Sequence, residues 1–154
     1  MKILIPVDGS EPALDAVRHA LHLRREGLQT DFVLATVQEP TYLYELMLPP
    51  NAEVLDRFSG AAGSHVLQEA EALLNKAGVP FDREIGSGDV AQTLIEIAVR
   101  HGCEAIILGA RGMGALRSAL MGSVSLAVLH ASTVPVTIVK HAATDSAASS
   151  AAAS

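Results

Sequence analysis

The sequence predicts an α/β domain, a three-layer sandwich in which helices cover both faces of a parallel sheet. Short apolar runs of strand length alternate with longer segments whose apolar residues repeat at helical spacing, and this alternation is typical of βαβ units. Right-handed crossovers between parallel strands then place helices on both faces. The chain of 154 residues is 49% hydrophobic and 18% charged, which is a globular composition. We expect one compact domain with five strands and four helices.

The first strand is predicted over 2–7, where a continuous apolar run indicates a strand covered on both faces. The turn Asp8-Gly9-Ser10 follows, and Ser10 is suited to cap the next helix, with Pro12 tolerated in its first turn. Gly27 is the expected end of that helix, and a second strand follows over 31–37. The residues expected on the buried face of this first helix are Ala13, Leu14, Ala16, Val17, Ala20 and Leu21.

The pattern breaks down over 39–51, which reads either as a surface crossover or as a segment that covers a ligand or a partner. A long helix is expected over 52–77, and Gly78 ends it. The third strand, 79–85, contains Pro80 and is therefore placed near an edge of the sheet. The residues predicted for the buried face of the long helix are Val66, Ala70, Leu73 and Ala77.

The second half of the chain repeats the alternation of strand and helix. A turn at 86–89 leads into a helix over 90–100, followed by a fourth strand over 105–108. A short helix over 124–130 and a final strand over 134–139 complete the domain, which we bound at 1–141. The remaining Ala- and Ser-rich tail, 142–154, cannot bury a core and is expected to be disordered. The buried residues of the helix over 90–100 are predicted to be Leu94, Ile97 and Ala98.

The stretch from Ile106 to Ser125 predicts an anion site. A buried strand ends at Gly109, further glycines follow, and Gly122-Ser123 stands at the head of an apolar helix. Glycines allow backbone N–H groups to approach a ligand, and a helix N-terminus adds unpaired donors and a partial positive charge. Phosphate is the usual anion in such a site. The alternative is a glycine-rich connection without a ligand.

Charge and side-chain chemistry restrict the other functions. The formal net charge of −6 argues against nucleic acid or an anionic membrane as the main partner. The single cysteine, Cys103, forms no intrachain disulfide and is expected to be an inert buried thiol. The histidines have no metal-ligand spacing, so we predict no metal site, and no catalytic residue is assigned. Walker A, dinucleotide-binding and Gly-x-Ser-x-Gly motifs are all missing from the sequence.

The spacing of the glycines resembles the nucleotide-binding signature of the universal stress protein family. Gly109 is followed after two residues by Gly112, and after nine more by Gly122-Ser123. The opening 3–10 and the closing 132–139 are similar to the first and last strands of that family. The resemblance spans Met1 to about Lys140 and implies an adenine nucleotide alpha hydrolase-like fold with strand order 3-2-1-4-5. Ligands in open α/β sheets bind at the carboxyl ends of the strands where the order reverses, here the first and fourth strands.

The resemblance implies ATP, with Mg²⁺ as an optional companion, as the ligand. Its phosphates would be held by the backbone N–H groups of 122–125, by the hydroxyls of two serines there, and by Arg111. Asp8 would accept from the ribose hydroxyls or help to hold a divalent ion, although Asp is also a plain turn former in this context. The residues assigned to this site are Pro6, Val7, Asp8, Val37, Leu108, Gly109, Arg111, Gly112, Gly122, Ser123, Val124 and Ser125.

Three functions stay open, and the first is favoured. The first is a cytoplasmic ATP-binding universal stress protein, a nucleotide-dependent signalling or stress-response module with an unidentified protein partner. The resemblance implies that it is a homodimer joined through the last strand, at Val134, Val136 and Ile138. The second is a slow ATP hydrolase or nucleotidyl-transfer enzyme on the same fold, and the third is a nucleotide-free interaction scaffold. We expect a cytoplasmic protein because the N-terminus leads straight into a strand and no apolar run could span a bilayer.

Overall fold

The computed structural model describes residues 1–39, 52–110 and 121–140, and for 52–62 it describes the backbone alone. The expected irregular segment, apart from Glu39, and the expected tail at 142–154 lie outside the described residues. Strands and helices alternate along the described chain. They are β1 (Lys2–Pro6), α1 (Glu11–Arg25), β2 (Asp31–Gln38), α2 (Ala52–Lys76), β3 (Phe81–Ser87), α3 (Val90–Arg100), β4 (Ala105–Gly109), α4 (Ser123–Ala131) and β5 (Val136–Val139).

The five strands form one parallel sheet in the order β3-β2-β1-β4-β5. This confirms the predicted fold class and strand order. β1 and β4 are neighbours at the centre, so the chain reverses its direction of travel across the sheet between them. β3 and β5 are the edges, in agreement with the position that Pro80 predicted for the third strand.

Two apolar cores lie on opposite faces of the sheet. On one face, Ile3, Ile5 and Ile107 pack against α1 and α2. On the other face, Leu4 and Ile106 pack against α3 and α4. Every residue predicted for the inward faces of α1 and α3 is buried, which confirms the helical periodicity.

Only one of the four residues predicted for the buried face of α2, Ala70, is buried. Leu67, Ala70 and Leu74 are fully buried, whereas Ala77 is exposed. The reason lies at Gly63, because a Cβ there would come within 2.6 Å of the Ile85 side chain on β3. The helix approaches the sheet closely at this glycine, and the buried positions follow from it at helical spacing.

Hydrogen bonds at the end of α2 explain why β3 begins two residues later than predicted. Gly78 adopts φ +68° and donates to the carbonyl of Asn75, while the N–H of Val79 donates to the carbonyl of Leu74 at 3.0 Å. This pattern is a Schellman motif, and it requires the left-handed conformation that glycine adopts without strain. The N–H of Val79 is therefore bonded to the end of the helix, and Pro80 has no N–H to donate. The strand consequently starts at Phe81.

A local turn also delays the start of β5, which was predicted at 134. The hydroxyl of Ser132 donates to the carbonyl of Val134 at 2.8 Å and accepts from its N–H at 3.1 Å. Pro135 has no N–H, and its carbonyl accepts from Ile106. The regular strand consequently begins at Val136.

Candidate functional site

The carboxyl ends of β1 and β4 form the edge of the sheet where the sequence predicted a ligand. The ladder between the two strands joins Ile3 to Ala105 and Leu4 to Ile106. Both strands continue past this ladder, to Pro6 and Gly109 respectively. Their ends are therefore not tied to each other, which is the geometry of a crevice at a point where strand order reverses.

Asp8 has the turn-forming role that was the alternative to ligand binding. One of its carboxylate oxygens, Oδ1, accepts from the N–H of Ser10 at 3.0 Å and from the Ser10 hydroxyl. Ser10 in turn accepts from the N–H of Ala13 at 3.4 Å and so caps α1. Gly9, with φ +83°, lets the chain turn between them. Asp8 thus orients the N-terminus of α1, and its exposed position at the edge of the sheet leaves it accessible to a ligand.

The four apolar residues assigned to the site on β1, β2 and β4 or next to them divide into two pairs. Val7 and Leu108 are buried on opposite faces of the sheet, at 3% and 4% exposure, so their side chains are used in the two cores. The N–H of Val7 also donates to the carbonyl of Ala35. Pro6 and Val37 are half-buried at the ends of β1 and β2, so they are the members of this set with more apolar surface left for a ring.

Gly109 has a structural reason to lack a side chain. A Cβ at this position would stand 2.4 Å from the carbonyl oxygen of Pro12 and 3.0 Å from its Cβ. The first turn of α1 therefore packs directly on the last residue of β4. This contact, which sequence reasoning missed, explains Gly109 without a ligand.

Ala110 is a second residue that the sequence did not single out. Its N–H donates to the carbonyl of Val139 at 2.9 Å, and its carbonyl accepts from the N–H of Gly122 at 2.7 Å. One residue thus links the end of β5 to the start of α4. No side-chain pattern could reveal this role, because both bonds are made by the backbone. The N–H of Gly122, which the resemblance assigned to a phosphate, has a partner within the fold.

Within the described part of the chain, the N-terminus of α4 has no side-chain cap. Gly122 occupies the N-cap with φ −75° and ψ 164° and makes no side-chain hydrogen bond, whereas α1 and α3 are capped by Ser10 and Asp89. The first intrahelical bond joins the N–H of Leu126 to the carbonyl of Gly122. The three preceding N–H groups, of residues 123–125, consequently have no partner within the helix. These donors and the partial positive charge of the helix terminus suit an anion.

The two serines of this turn differ in their surroundings. Ser123 is exposed. Ser125 is only 4% exposed, and its hydroxyl donates to the carbonyl of Gly109 at 2.8 Å. The Ser125 hydroxyl proton is therefore used within the fold. The resemblance had assigned this hydroxyl to a phosphate. Arg111 and Gly112, the remaining two residues assigned to the site, lie outside the described residues.

The described residues bear on three other kinds of site: a metal centre, a reactive cysteine and a membrane-spanning helix. Among residues 1–39, 63–110 and 121–140, no group of three or more His, Cys, Asp or Glu side chains could hold a metal ion. Cys103 is buried, and this burial raises the pKa of its thiol, which keeps it protonated near neutral pH. Within those ranges, no helix combines the length and apolar character that crossing a membrane would require.

Comparisons with known proteins agree with the fold. The model of the universal stress protein family matches residues 1–140. A universal stress protein of Methanocaldococcus jannaschii is 27% identical over 139 residues, which covers 90% of this chain and 81% of the relative. The solved structure of the universal stress protein UspA from Lactobacillus plantarum is 22% identical, with a TM-score of 0.73, and the match covers 90% of this chain and 97% of that one.

Two further solved structures are described with a nucleotide. One is a universal stress protein in complex with cAMP, 21% identical with a TM-score of 0.64 over 92% of this chain and 98% of that chain. The other is a universal stress protein family protein from Arabidopsis thaliana with AMP bound, 19% identical with a TM-score of 0.68 over 94% of each chain. At these identities, the likeness shows a shared fold.

Proposed function

Because the chain belongs to the universal stress protein family, we propose that it binds an adenine nucleotide at the carboxyl ends of β1 and β4. The single observation that carries this proposal is the uncapped N-terminus of α4 at that edge of the sheet. A phosphate there would accept from the N–H groups of 123–125 and from the exposed hydroxyl of Ser123. The AMP and cAMP bound to proteins of the same fold support an adenine nucleotide as the ligand.

The rest of the nucleotide would lie between β1 and β2. Pro6 and Val37, both half-buried, offer apolar surface to the adenine ring, and Asp8 offers a carboxylate to the ribose or to a divalent ion. We propose ATP as the physiological ligand, with Mg²⁺ held by its phosphates and by Asp8. Gly109, Arg111 and Gly112 complete the proposed site.

We propose a binding module of the cytoplasm that signals by its nucleotide occupancy, and not an enzyme. The Oδ1 of Asp8 already accepts from the N–H and hydroxyl of Ser10, which suits a fixed structural carboxylate better than a general base. Binding without turnover would keep the nucleotide in place long enough for a partner protein to respond to it.

We also propose that two copies join through α4 and β5. Val124, Leu126 and Leu129 on α4 are 37%, 46% and 43% exposed, so this short helix presents apolar surface to solvent. β5 is an edge strand, and its half-buried Val136 and Ile138 lie on the face of the sheet that α4 covers. Antiparallel pairing of two β5 strands would satisfy their edge hydrogen bonds and bring the two α4 surfaces together.

The test of the nucleotide site is Gly122→Asp. The backbone of Gly122 suits an N-cap Asp, whose carboxylate would accept the helix N–H groups and repel a phosphate. We expect AMP and ATP–Mg²⁺ to bind about tenfold or more weakly, because an anion interaction of about 1–2 kcal/mol is replaced by repulsion. The thermal stability of the variant should be equal to or above that of the wild type.

Isothermal titration calorimetry gives the affinities, and circular dichroism gives the melting temperature. Thr133→Asp, an exposed position beyond the other end of α4, adds the same charge and should leave the affinity unchanged. A folded wild-type protein that binds neither nucleotide would overturn the proposal and favour the scaffold function. Equal affinities in wild type and Gly122→Asp would show that the phosphate lies elsewhere.

A further inference from the structure

Ser125 is a buried polar residue whose hydrogen bond joins two elements. It occupies the third position of α4 after the N-cap Gly122, and its side chain is 4% exposed. A serine hydroxyl within a helix commonly bonds to a carbonyl of its own preceding turn. Here it instead donates to the carbonyl of Gly109, at 2.8 Å, on the last residue of β4.

The carbonyl of Gly109 lies beyond the part of β4 that pairs with β1. That ladder ends at Leu4 and Ile106, three residues before the end of β4. Ser125 therefore supplies a donor at the point where the central strands separate. This hydrogen bond is partly buried, and a carbonyl left there without its donor is destabilising, so the contact restrains the geometry of the edge.

A second bond acts on the same turn of α4. The N–H of Gly122 donates to the carbonyl of Ala110 at 2.7 Å. The carbonyls of two consecutive residues, Gly109 and Ala110, thus hold the third residue and the N-cap of the helix. Together the two attachments restrain the position and the direction of the first turn of the helix.

We propose that the Ser125 side chain has a positioning role for the nucleotide phosphate: its hydroxyl holds the N–H groups of 123–125 in place and does not donate to the ligand. This inference rests on the proposed nucleotide site. Preorganised donors bind an anion more tightly than donors that must be ordered on binding. Ser125 therefore acts on the phosphate through α4 and leaves contacts with adenine and ribose unaffected.

The experiment compares AMP with adenosine, which lacks the phosphate. Ser125→Ala should bind AMP about five- to tenfold more weakly, which corresponds to the loss of one buried hydrogen bond. Its affinity for adenosine should stay within about twofold of wild type, because the phosphate contacts alone depend on the direction of α4. Ser125→Thr keeps the hydroxyl and should recover most of the AMP affinity.

Ser132→Ala is the matched control. Ser132 also belongs to α4, at its C-cap, and its hydroxyl donates to the carbonyl of Val134 at the same distance of 2.8 Å. It should cost a similar amount of stability in urea unfolding without changing the AMP affinity. A loss of AMP affinity in this control equal to that in Ser125→Ala would reduce the effect to general destabilisation and overturn the inference.

Two other results would overturn it. AMP affinity of Ser125→Ala within twofold of wild type would show that the contact does not matter to the phosphate. An equal loss for AMP and adenosine would show that the whole site had changed. Failure of the proposed function looks different, since the wild-type protein would then bind neither ligand, and the inference would fall with it.

Discussion

At the scale of single residues, the carboxyl edge of the sheet is built by close backbone contacts. Gly109 allows the first turn of α1 to lie against β4, and Ala110 joins β5 to α4 through both of its backbone groups. Asp8 and Ser125 each use a polar group within the fold, one at the turn before α1 and the other at the start of α4. The candidate site therefore depends on residues that hold the N-termini of α1 and α4 in place.

Gly109→Ala should be one of the more costly small substitutions in the protein. The added Cβ would meet the Pro12 carbonyl oxygen at 2.4 Å, and a main-chain atom cannot move aside as a side chain can. We expect the free energy of unfolding to fall by about 2–3 kcal/mol, as in other overpacked sites. Urea denaturation followed by circular dichroism measures the loss.

Gly27→Ala is the comparison for Gly109→Ala. Gly27 has φ +109° and open space around it, so an alanine there meets backbone strain of about 1–2 kcal/mol but no clash. The cost at Gly109 should exceed the cost at Gly27. The reverse order would mean that α1 does not press on β4 as described.

At the scale of elements, the edge strand β3 is attached to the end of α3 by one carboxylate. Glu84 on β3 binds Arg100 through Oε1 and His101 through Oε2, both at 2.5 Å, and its side chain is 23% exposed. Arg100 is the last residue of α3 and His101 is its C-cap. Arg100 is a cation in the last turn of α3, where a positive charge is favourable, so the Glu84 carboxylate completes a cluster that both elements share.

Glu84→Gln should lower the free energy of unfolding by about 1–2 kcal/mol, because the bonds to Arg100 and His101 lose the negative charge of their acceptor. The matched variant is Glu104→Gln, whose carboxylate is 64% exposed and 3.9 Å from the N-terminal ammonium, and it should change stability little. Chemical denaturation at pH 7 measures both. If the two variants lose equal stability, the cluster adds nothing beyond an ordinary surface charge.

At the scale of the whole molecule, α4 stands at two proposed sites. Its N-terminus is the proposed phosphate site, and its exposed Val124, Leu126 and Leu129 form the proposed surface between two copies. A helix that is apolar on nearly all sides is normally buried, yet Ser125 and Val128 are the buried members of this one. A second copy would cover the remainder.

Leu126→Glu should therefore shift the protein from dimer to monomer. A charge on each copy would face its counterpart across the two-fold axis, and the apolar contact would be lost. Sedimentation equilibrium of the full chain at micromolar concentration gives the mass. Ala77→Glu, an exposed position at the end of α2 on the opposite face of the sheet, should leave the dimer intact. A wild-type protein that sediments as a monomer would contradict the proposed assembly.

The sequence by itself determined the layers of the fold, and its resemblance to the family implied the order of the strands. Alternating strand and helix periods predicted the parallel sheet, and the glycine spacing predicted a ligand at the ends of β1 and β4. The boundaries of β3 and β5 were less accurate, because Val79 and Ser132 make local hydrogen bonds that periodicity does not report. Periodicity shows which side of a strand or helix is apolar and therefore buried. It does not show at which residue the strand or helix begins.

Tertiary structure decided which groups of the predicted site are left for a ligand. The sequence assigned Val7, Leu108, Gly122 and Ser125 to the nucleotide, yet the fold uses the side chains of the first two and a hydrogen-bond donor of the other two. A side chain or N–H can bind a ligand only if no nearer partner has taken it. Such partners come from elements far apart in the chain, as when Ser125 meets Gly109, and so only the folded molecule fixes them.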